Sequence, residues 1–213
     1  EARHLDEQQH LEQLSAEQQQ VLGELEATRQ NRGKVIAELE ARIRDRGTAL
    51  KQLQRDERDL QALLESLSNL LADIPLNLGN DKPFAQQRGR LQPPLKGRVL
   101  AGFGQKKGGT HLTWKGQWIG APTGTAIRAV APGRVAFVGW LNRYGLLVIL
   151  EHEGNYYTLY GHQDAADVRL GEWVQGGAAL GRAGTSGGHQ QSGVYFEIRR
   201  GRNAVDPAGW LQR

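Results

Sequence analysis

The distribution of glycine limits the possible folds of this chain more than any other feature of its sequence. Of the 28 glycines, 25 lie after position 74 and three before it. Glycine inside a helix costs roughly 0.5–1 kcal/mol relative to alanine, whereas tight turns favour it. The sequence therefore predicts a helical arm over residues 1–74, followed by a turn-rich globular part.

Apolar residues in the arm repeat with the spacing of a coiled coil. A leucine or isoleucine occurs every seven residues from position 53 to position 74, and the intervening residues are mostly Gln, Glu, Arg and Asp. This pattern predicts the C-terminal part of a longer coiled coil. The repeat consists of Leu53, Leu60, Leu67 and Ile74, with Leu50, Leu64 and Leu71 at the companion positions.

Glycines at 33 and 47 interrupt the arm. The stretch "QNRG" at 30–33 fits either the turn of an antiparallel helix pair or a weak place in one helix, and one long helix from about residue 33 onward is favoured. An isolated amphipathic helix is only marginally stable in water, so its apolar stripe needs a partner. A passive spacer or dimerisation rod is the alternative role for the arm.

The two parts of the chain carry opposite net charge. Residues 1–74 hold 10 Lys or Arg against 15 Asp or Glu, a net charge of −5, whereas the remaining residues hold 17 against 8, a net charge of +9. An acidic helix from the arm or the linker is therefore a candidate cover for a basic groove. The basic charge suits an anionic cell-wall polymer, and no module that binds nucleic acid is recognisable.

Two absences narrow the class of protein further. The chain has no cysteine, which excludes a thiolate metal site. It also has no apolar run near 18 residues, so we expect that it does not span a membrane by itself. The sequence has the appearance of a fragment of a longer protein.

Short apolar stretches separated by glycine turns fill the globular part. Residues 75–96, with prolines at 75, 83, 93 and 94, form the predicted linker, and residues 97–213 form the predicted domain. Strand-like stretches without a helical period predict a mainly antiparallel all-β fold, so the whole chain is of mixed class. The expected strands are "TAIRAVA", "GRVAFVGW", "GLLVILEH", "NYYTLYGH", "EWVQGGAAL" and "GVYFEIRR".

The last of these strands, residues 193–200, carries two different sets of side chains. Strand alternation places an apolar set on one face, which predicts a core, and a set with a phenol, a carboxylate and a guanidinium on the other. The apolar set is Val194, Phe196 and Ile198; the other set is Gly193, Tyr195, Glu197 and Arg199.

Four phrases in a fixed order give the domain a family resemblance. They are "GAPTGTAIRAVAPGRVAFVG" at 120–139, "YGLLVILEHEGNYYTLYGH" at 144–162, "VRLGEWVQGGAALGRAGTSG" at 168–187 and "VYFEIRRGRNAVDPAGWL" at 194–211. In this order they resemble the lysostaphin or LytM-type zinc peptidases, which cut peptide cross-links in bacterial peptidoglycan. The resemblance covers about residues 97–211 and implies a LytM-like fold.

The metal ligands that this resemblance implies are missing from the sequence. Trp114 stands at the family's first histidine position, Trp118 at its aspartate position, and Gly193 and Tyr195 at the two histidines of its last motif. Only His162, in "LYGH", is retained. Zinc hydrolysis needs about three ligands and an open position for water, so we expect no catalytic residues, no metal and no cofactor here.

A rebuilt metal site is the alternative interpretation. His111, His162 and His189 could supply ligands to a divergent zinc endopeptidase, although no two of them have a recognised ligand spacing. The remaining histidines are His4 and His10 on the arm and His152 at a predicted strand end, and solvent exposure would explain all three.

Aromatic residues and arginine at the vacated positions point to binding rather than hydrolysis. These residue types dominate binding hot spots, and here they replace metal ligands on the floor of the family's substrate groove. The degenerate domain behind a coiled coil resembles the murein hydrolase activators. The groove residues that this resemblance implies are Lys115, Trp118, Tyr144, Leu147, Tyr160, Tyr195 and Arg199, with Trp114 nearby.

The same resemblance implies partners and a location. It implies a periplasmic protein of the division septum that switches on zinc-dependent N-acetylmuramoyl-L-alanine amidases, binding their regulatory helix in the groove. Its coiled coil would engage the ABC-transporter complex FtsEX. A passive module that binds peptidoglycan and tethers the coiled coil is a further alternative.

Overall fold

One long helix and one β-rich unit make up the described part of the chain. The structure, a computed structural model, describes residues 2–71, 83–107, 112–188 and 190–212. The chain divides into two compact units, Glu1–Lys51 and Gln52–Arg213. Helix α1 is continuous over Ala2–Leu71, so the prediction of one long helix is confirmed and a hairpin at 30–33 is wrong. The coiled coil stays a prediction.

In the first unit, five large apolar side chains of the helix face solvent, whereas Leu50 is half-buried. Leu22, Leu25, Val35, Ile36 and Leu39 are all exposed. Among the described residues, no helix is both long enough and apolar enough to cross a membrane.

The second unit contains ten strands and three short 3₁₀ helices among its described residues. The 3₁₀ helices are Phe84–Gln87, Asn142–Tyr144 and Pro207–Gly209. The strands are β1 (Arg98–Ala101), β2 (Gln117–Gly120), β3 (Ala126–Arg128), β4 (Gly133–Leu141), β5 (Gly145–His152), β6 (Tyr156–Ala166), β7 (Trp173–Val174), β8 (Ala179–Ala183), β9 (Gly193–Arg200) and β10 (Asn203–Val205).

The strands pair antiparallel throughout one sheet. The main order is β1-β2-β9-β6-β5-β4-β7, with β10 beside β9 and with β8 pairing both β3 and β6. This topology confirms the predicted mainly antiparallel all-β fold. Strands β5 and β9 have the predicted bounds, whereas no prediction covered the short strands β1, β2 and β10.

Both faces of the central sheet are buried, each in a core of its own. The first core contains the apolar set predicted for β9, namely Val194, Phe196 and Ile198, together with Phe84, Leu91 and Leu95 from the segment before β1. The second core contains Trp118, Leu147, Leu159 and Tyr195 from the opposite face, packed against three leucines of α1. These leucines are Leu60, Leu64 and Leu67.

The apolar stripe of α1 therefore has a partner within the same unit. Leu60 and Leu67 belong to the heptad repeat that predicted a coiled coil, yet here they pack on a β-sheet. Burying a leucine side chain stabilises a contact by roughly 1.5–3 kcal/mol. The three buried leucines thus stabilise this part of a marginally stable helix against the sheet.

His152 at the end of β5 is buried, so the prediction of an exposed histidine is wrong at this position. The side chain is 2% exposed and its ring stacks on Phe84 with ring centroids 4.4 Å apart. Its Nδ1 lies 2.7 Å from the carbonyl oxygen of Pro132, and its Nε2 lies 2.7 Å from Oγ1 of Thr158. A carbonyl can only accept, so Nδ1 carries the proton. Burial lowers the pKa of His152 from 6.5 to about 4.

Acidification is expected to destabilise this unit through His152. Because the pKa of His152 is lower in the folded state than in the unfolded chain, the stabilisation is complete above pH 6.5 and is lost as the pH falls towards 4. The loss should reach about 3 kcal/mol of the free energy of unfolding, since one pKa unit corresponds to roughly 1.4 kcal/mol. Urea unfolding followed by tryptophan fluorescence between pH 7 and pH 4 measures it.

The control for this effect is His152→Gln, which cannot titrate in this range. The difference in unfolding free energy between the parent and the variant should shrink by about 3 kcal/mol on going from pH 7 to pH 4. A difference that does not change with pH would show that His152 is not the titrating group.

Candidate functional site

The positions at which the family resemblance places metal ligands lie together on the second core's face of the sheet. Trp118 on β2 is directly opposite Tyr195 on β9 in the strand register. The Trp114 ring lies 5.9 Å from the Tyr195 ring, and the His162 ring lies 4.8 Å from Trp118 and 6.4 Å from Tyr195, measured between centroids. The structure thus brings four aromatic or imidazole rings to one place.

His162 is held rigidly at this place. Its backbone has a φ of 62°, in the left-handed region that non-glycine residues rarely adopt, and its Nδ1 donates to the carbonyl oxygen of Ser186 at 2.6 Å. Strained backbone of this kind persists where the surroundings fix it. Because Nδ1 holds this proton, Nε2 is the ring nitrogen whose lone pair could reach a metal.

The residues present do not fit a zinc ion. Indole nitrogens of tryptophan donate hydrogen bonds and offer no lone pair, and the phenol of Tyr195 donates to Oε2 of Glu197 at 2.5 Å. The described residues contain no group of three or more His, Asp or Glu side chains that could hold a metal ion. His111 and His189, invoked for a rebuilt site, lie outside the described residues.

A buried network of charged residues continues the site along β9. Nη1 of Arg199 donates to Oε1 of Glu197 at 2.7 Å, and Nη2 donates to the carbonyl oxygen of Arg202 at 2.6 Å. Burial raises the pKa of Glu197, although Arg199 and the Tyr195 hydroxyl oppose that shift. Burial and the Glu197 charge raise the pKa of Tyr195, so the phenol stays neutral and acts as a hydrogen-bond donor.

A segment of α1, residues 53–67, covers this face and is called the cover segment below. Leu60, Leu64 and Leu67 of this segment pack into the second core, and Oε1 of Glu57 lies 3.6 Å from Nη1 of Arg199. At the rim, Nδ2 of Asn142 donates to Asp59 at 2.5 Å, and Arg202 pairs with Glu65. The groove face is therefore filled by the chain's own amphipathic helix.

Most of the predicted groove residues lie under or beside the cover segment. Trp118, Tyr144, Leu147 and Tyr195 are buried in the second core, and Arg199 is buried next to Glu57. Trp114 packs against the edge of the same core. These positions stay predicted partner contacts.

Lys115 lies at the edge of the cover segment, and Tyr160 lies outside the groove face. Lys115 is exposed and lines an open cavity of about 400 Å³ between the cover segment and residues 112–115. Tyr160 lies on the opposite face, in the first core, where its hydroxyl accepts a hydrogen bond from the Val130 N–H at 3.1 Å. Its placement in the groove is wrong because Gly161, rather than Tyr160, pairs with Tyr195 in the register.

Two features of the site were missed by sequence reasoning. Glu197, which joins Tyr195 to Arg199, was assigned to the correct face but was given no role. Tyr157 and Leu159 belong to the second core, and the alternation of β6 could have placed them there.

The chain belongs to peptidase family M23, whose model matches residues 96–207. Among its relatives, the murein hydrolase activator EnvC of Escherichia coli is 42% identical over 126 residues, which is 59% of this chain and 30% of that protein. The murein hydrolase activator NlpD of the same organism is 37% identical over 122 residues, covering 55% of this chain and 30% of that protein. The chain thus spans less than a third of the length of either relative.

A solved structure agrees with the family assignment. The catalytic domain of the prophage-encoded M23 protein EnpA from Enterococcus faecalis, solved as a point mutant, is 28% identical and has a TM-score of 0.51. The match covers 56% of this chain and 97% of that domain. The β-rich unit is therefore a LytM-like domain, and a peptidoglycan-related function follows from the family and from the activators among its relatives.

Proposed function

We propose that this chain is a non-catalytic activator of periplasmic N-acetylmuramoyl-L-alanine amidases that acts in septal cell-wall splitting. The observation that carries the proposal is the groove itself. Tryptophan and tyrosine occupy the family's ligand positions, and an amphipathic helix lies on them. A face that already binds one helix is suited to bind another, and two relatives are named murein hydrolase activators.

The mechanism is an exchange of helices. In the closed state the cover segment occupies the groove, so the chain is autoinhibited. When the segment is displaced, the groove binds the amidase helix that blocks the amidase's own zinc cleft, and the amidase becomes active. The N-terminal part of α1, as part of a coiled coil, would transmit the displacing signal from FtsEX.

The experiment that tests this function is dye release from labelled peptidoglycan, with this protein and a purified periplasmic amidase, separately and together. Activation predicts little release by either protein alone and strong release by the mixture. Release by this protein alone that stops on adding a chelator would instead identify a divergent zinc endopeptidase. Sedimentation with peptidoglycan without any effect on the amidase would identify a passive wall-binding module.

A further inference from the structure

The closed groove leaves a buried donor of Arg199 without an acceptor. Arg199 is 1% exposed, and its Nη1 and Nη2 donate to Glu197 and to the Arg202 carbonyl. Its Nε, also buried, has no hydrogen-bond partner among the described residues. An unpaired buried donor beside a charge destabilises the state that contains it. The cover segment thus satisfies Arg199 incompletely.

The cover segment brings two carboxylates to this region, and neither completes the guanidinium. Oε1 of Glu57 lies 3.6 Å from Nη1 of Arg199, which is an ion pair but is too long for a hydrogen bond. Asp56 is buried, and its Oδ1 accepts from Nε2 of Gln52 at 2.9 Å, while its Oδ2 has no hydrogen-bond partner in the described part of the chain. The closed state therefore contains both an unmatched acceptor and an unmatched donor.

Two further polar contacts of the cover segment, Asp59 with Asn142 and Glu65 with Arg202, lie at the rim. Glu65 and Arg202 are largely exposed, and exposed ion pairs contribute little because solvent and salt screen them. The buried apolar residues of the cover segment are Leu60, Leu64 and Leu67, which lie three, seven and ten residues after Glu57. With this spacing all four positions share one face of a helix.

We infer that the groove selects a partner helix with a carboxylate at the position of Glu57 and apolar residues three, seven and ten positions later. In such a partner the carboxylate comes within hydrogen-bond distance of Nη1 of Arg199, which Glu57 approaches only to 3.6 Å, and an apolar residue replaces Asp56. This inference rests on the proposed function and specifies the chemistry of the partner. The cover segment is then a poorer version of the partner's helix, because it lacks both features.

The test measures binding of fluorescent peptides to the whole chain. The chain carries Leu60→Asp and Leu64→Asp, so that its own cover segment no longer competes, and the parent peptide copies residues 50–71. Peptide variants leave the folding of the protein untouched. We expect Glu57→Gln in the peptide to weaken binding about tenfold and Asp56→Leu to tighten it about tenfold. Glu65→Gln, the matched rim control, should change the Kd less than about threefold.

A second protein variant connects the effect to Arg199. Arg199→Gln removes the charge with which the carboxylate pairs, so it should abolish the difference between the parent and Glu57→Gln peptides. Equal binding of the two peptides to the chain with Arg199, or an unchanged difference with Arg199→Gln, would overturn the inference.

The proposed function and this inference fail in different ways. If the chain distinguishes the two peptides but never activates an amidase, the inference is supported and the proposed function is wrong. Amidase activation by a chain that binds parent and Glu57→Gln peptides equally would do the reverse.

Discussion

Replacing both Leu60 and Leu64 by aspartate should raise amidase activation by the full chain at least about tenfold. Both side chains are buried against the second core, and the loss of a buried leucine costs roughly 2–5 kcal/mol. A buried unpaired carboxylate adds a further penalty. The closed state should therefore lose its advantage and expose the groove. Dye release at a fixed amidase concentration, with increasing amounts of activator, measures the change.

The same helix supplies a matched control. Leu22 and Leu25 are 63% and 50% exposed, so Leu22→Asp with Leu25→Asp adds the same charge without disturbing a described core. This control should activate no better than the parent chain. Equal activation by the parent and by the Leu60→Asp, Leu64→Asp chain would mean that the cover segment does not limit access to the groove. A chain that begins at residue 83, and so keeps Phe84, Leu91 and Leu95 of the first core, should likewise activate better than residues 1–213.

The strands that could be predicted from sequence are those whose buried side chains produce a clear pattern of apolar residues. Strands β5 and β9 are continuous, apolar or alternating stretches between glycines, and their bounds agree with the structure. Strands β1, β2 and β10 have only three or four residues, too few for a period of two to stand out. They form because neighbouring strands supply their hydrogen-bond partners.

A heptad repeat identifies an apolar stripe without identifying what covers it. Leu60 and Leu67 fit a coiled coil as well as they fit a sheet, because both partners require the same side of a helix. The charge difference between the arm and the domain indicated what covers the stripe, because an acidic helix could lie on a basic groove. In the structure, Glu57 of the helix lies beside Arg199 of the groove.

The arrangement of the candidate site could be predicted where the family motif fixes the strand register. The prediction failed where a shift of one residue decides on which face of the sheet a side chain lies. Trp118 and Tyr195 are adjacent because β2 and β9 pair directly. Tyr160 was misplaced because successive residues of a strand point to opposite faces, so an error of one position moves a side chain to the other core. The burial of His152 could not be predicted, since Phe84 reaches it from a distant part of the sequence.

The groove floor has two roles, to stabilise the fold and to bind a partner helix. Replacing Trp118 by alanine should separate them. Trp118 is 1% exposed, whereas Trp140 on β4 is 64% exposed and provides a matched control for the same substitution. Trp118→Ala should lower the free energy of unfolding by roughly 3–5 kcal/mol, and Trp140→Ala by no more than about 0.5 kcal/mol. Urea unfolding of the two variants measures this difference.

The effect of Trp118 on activation must be measured where the cover segment no longer competes. The indole belongs to the core on which the cover segment packs, and a partner helix would pack on the same core. In the parent chain Trp118→Ala weakens both contacts, so the two changes oppose each other. In the Leu60→Asp, Leu64→Asp chain only the partner contact remains, and Trp118→Ala should reduce activation about tenfold at subsaturating concentration. Trp140→Ala should leave it unchanged there. If Trp118→Ala were equally harmless in a chain that remains folded, the tryptophan would serve only to fill the vacated ligand position, and the partner helix would have to bind elsewhere on the domain.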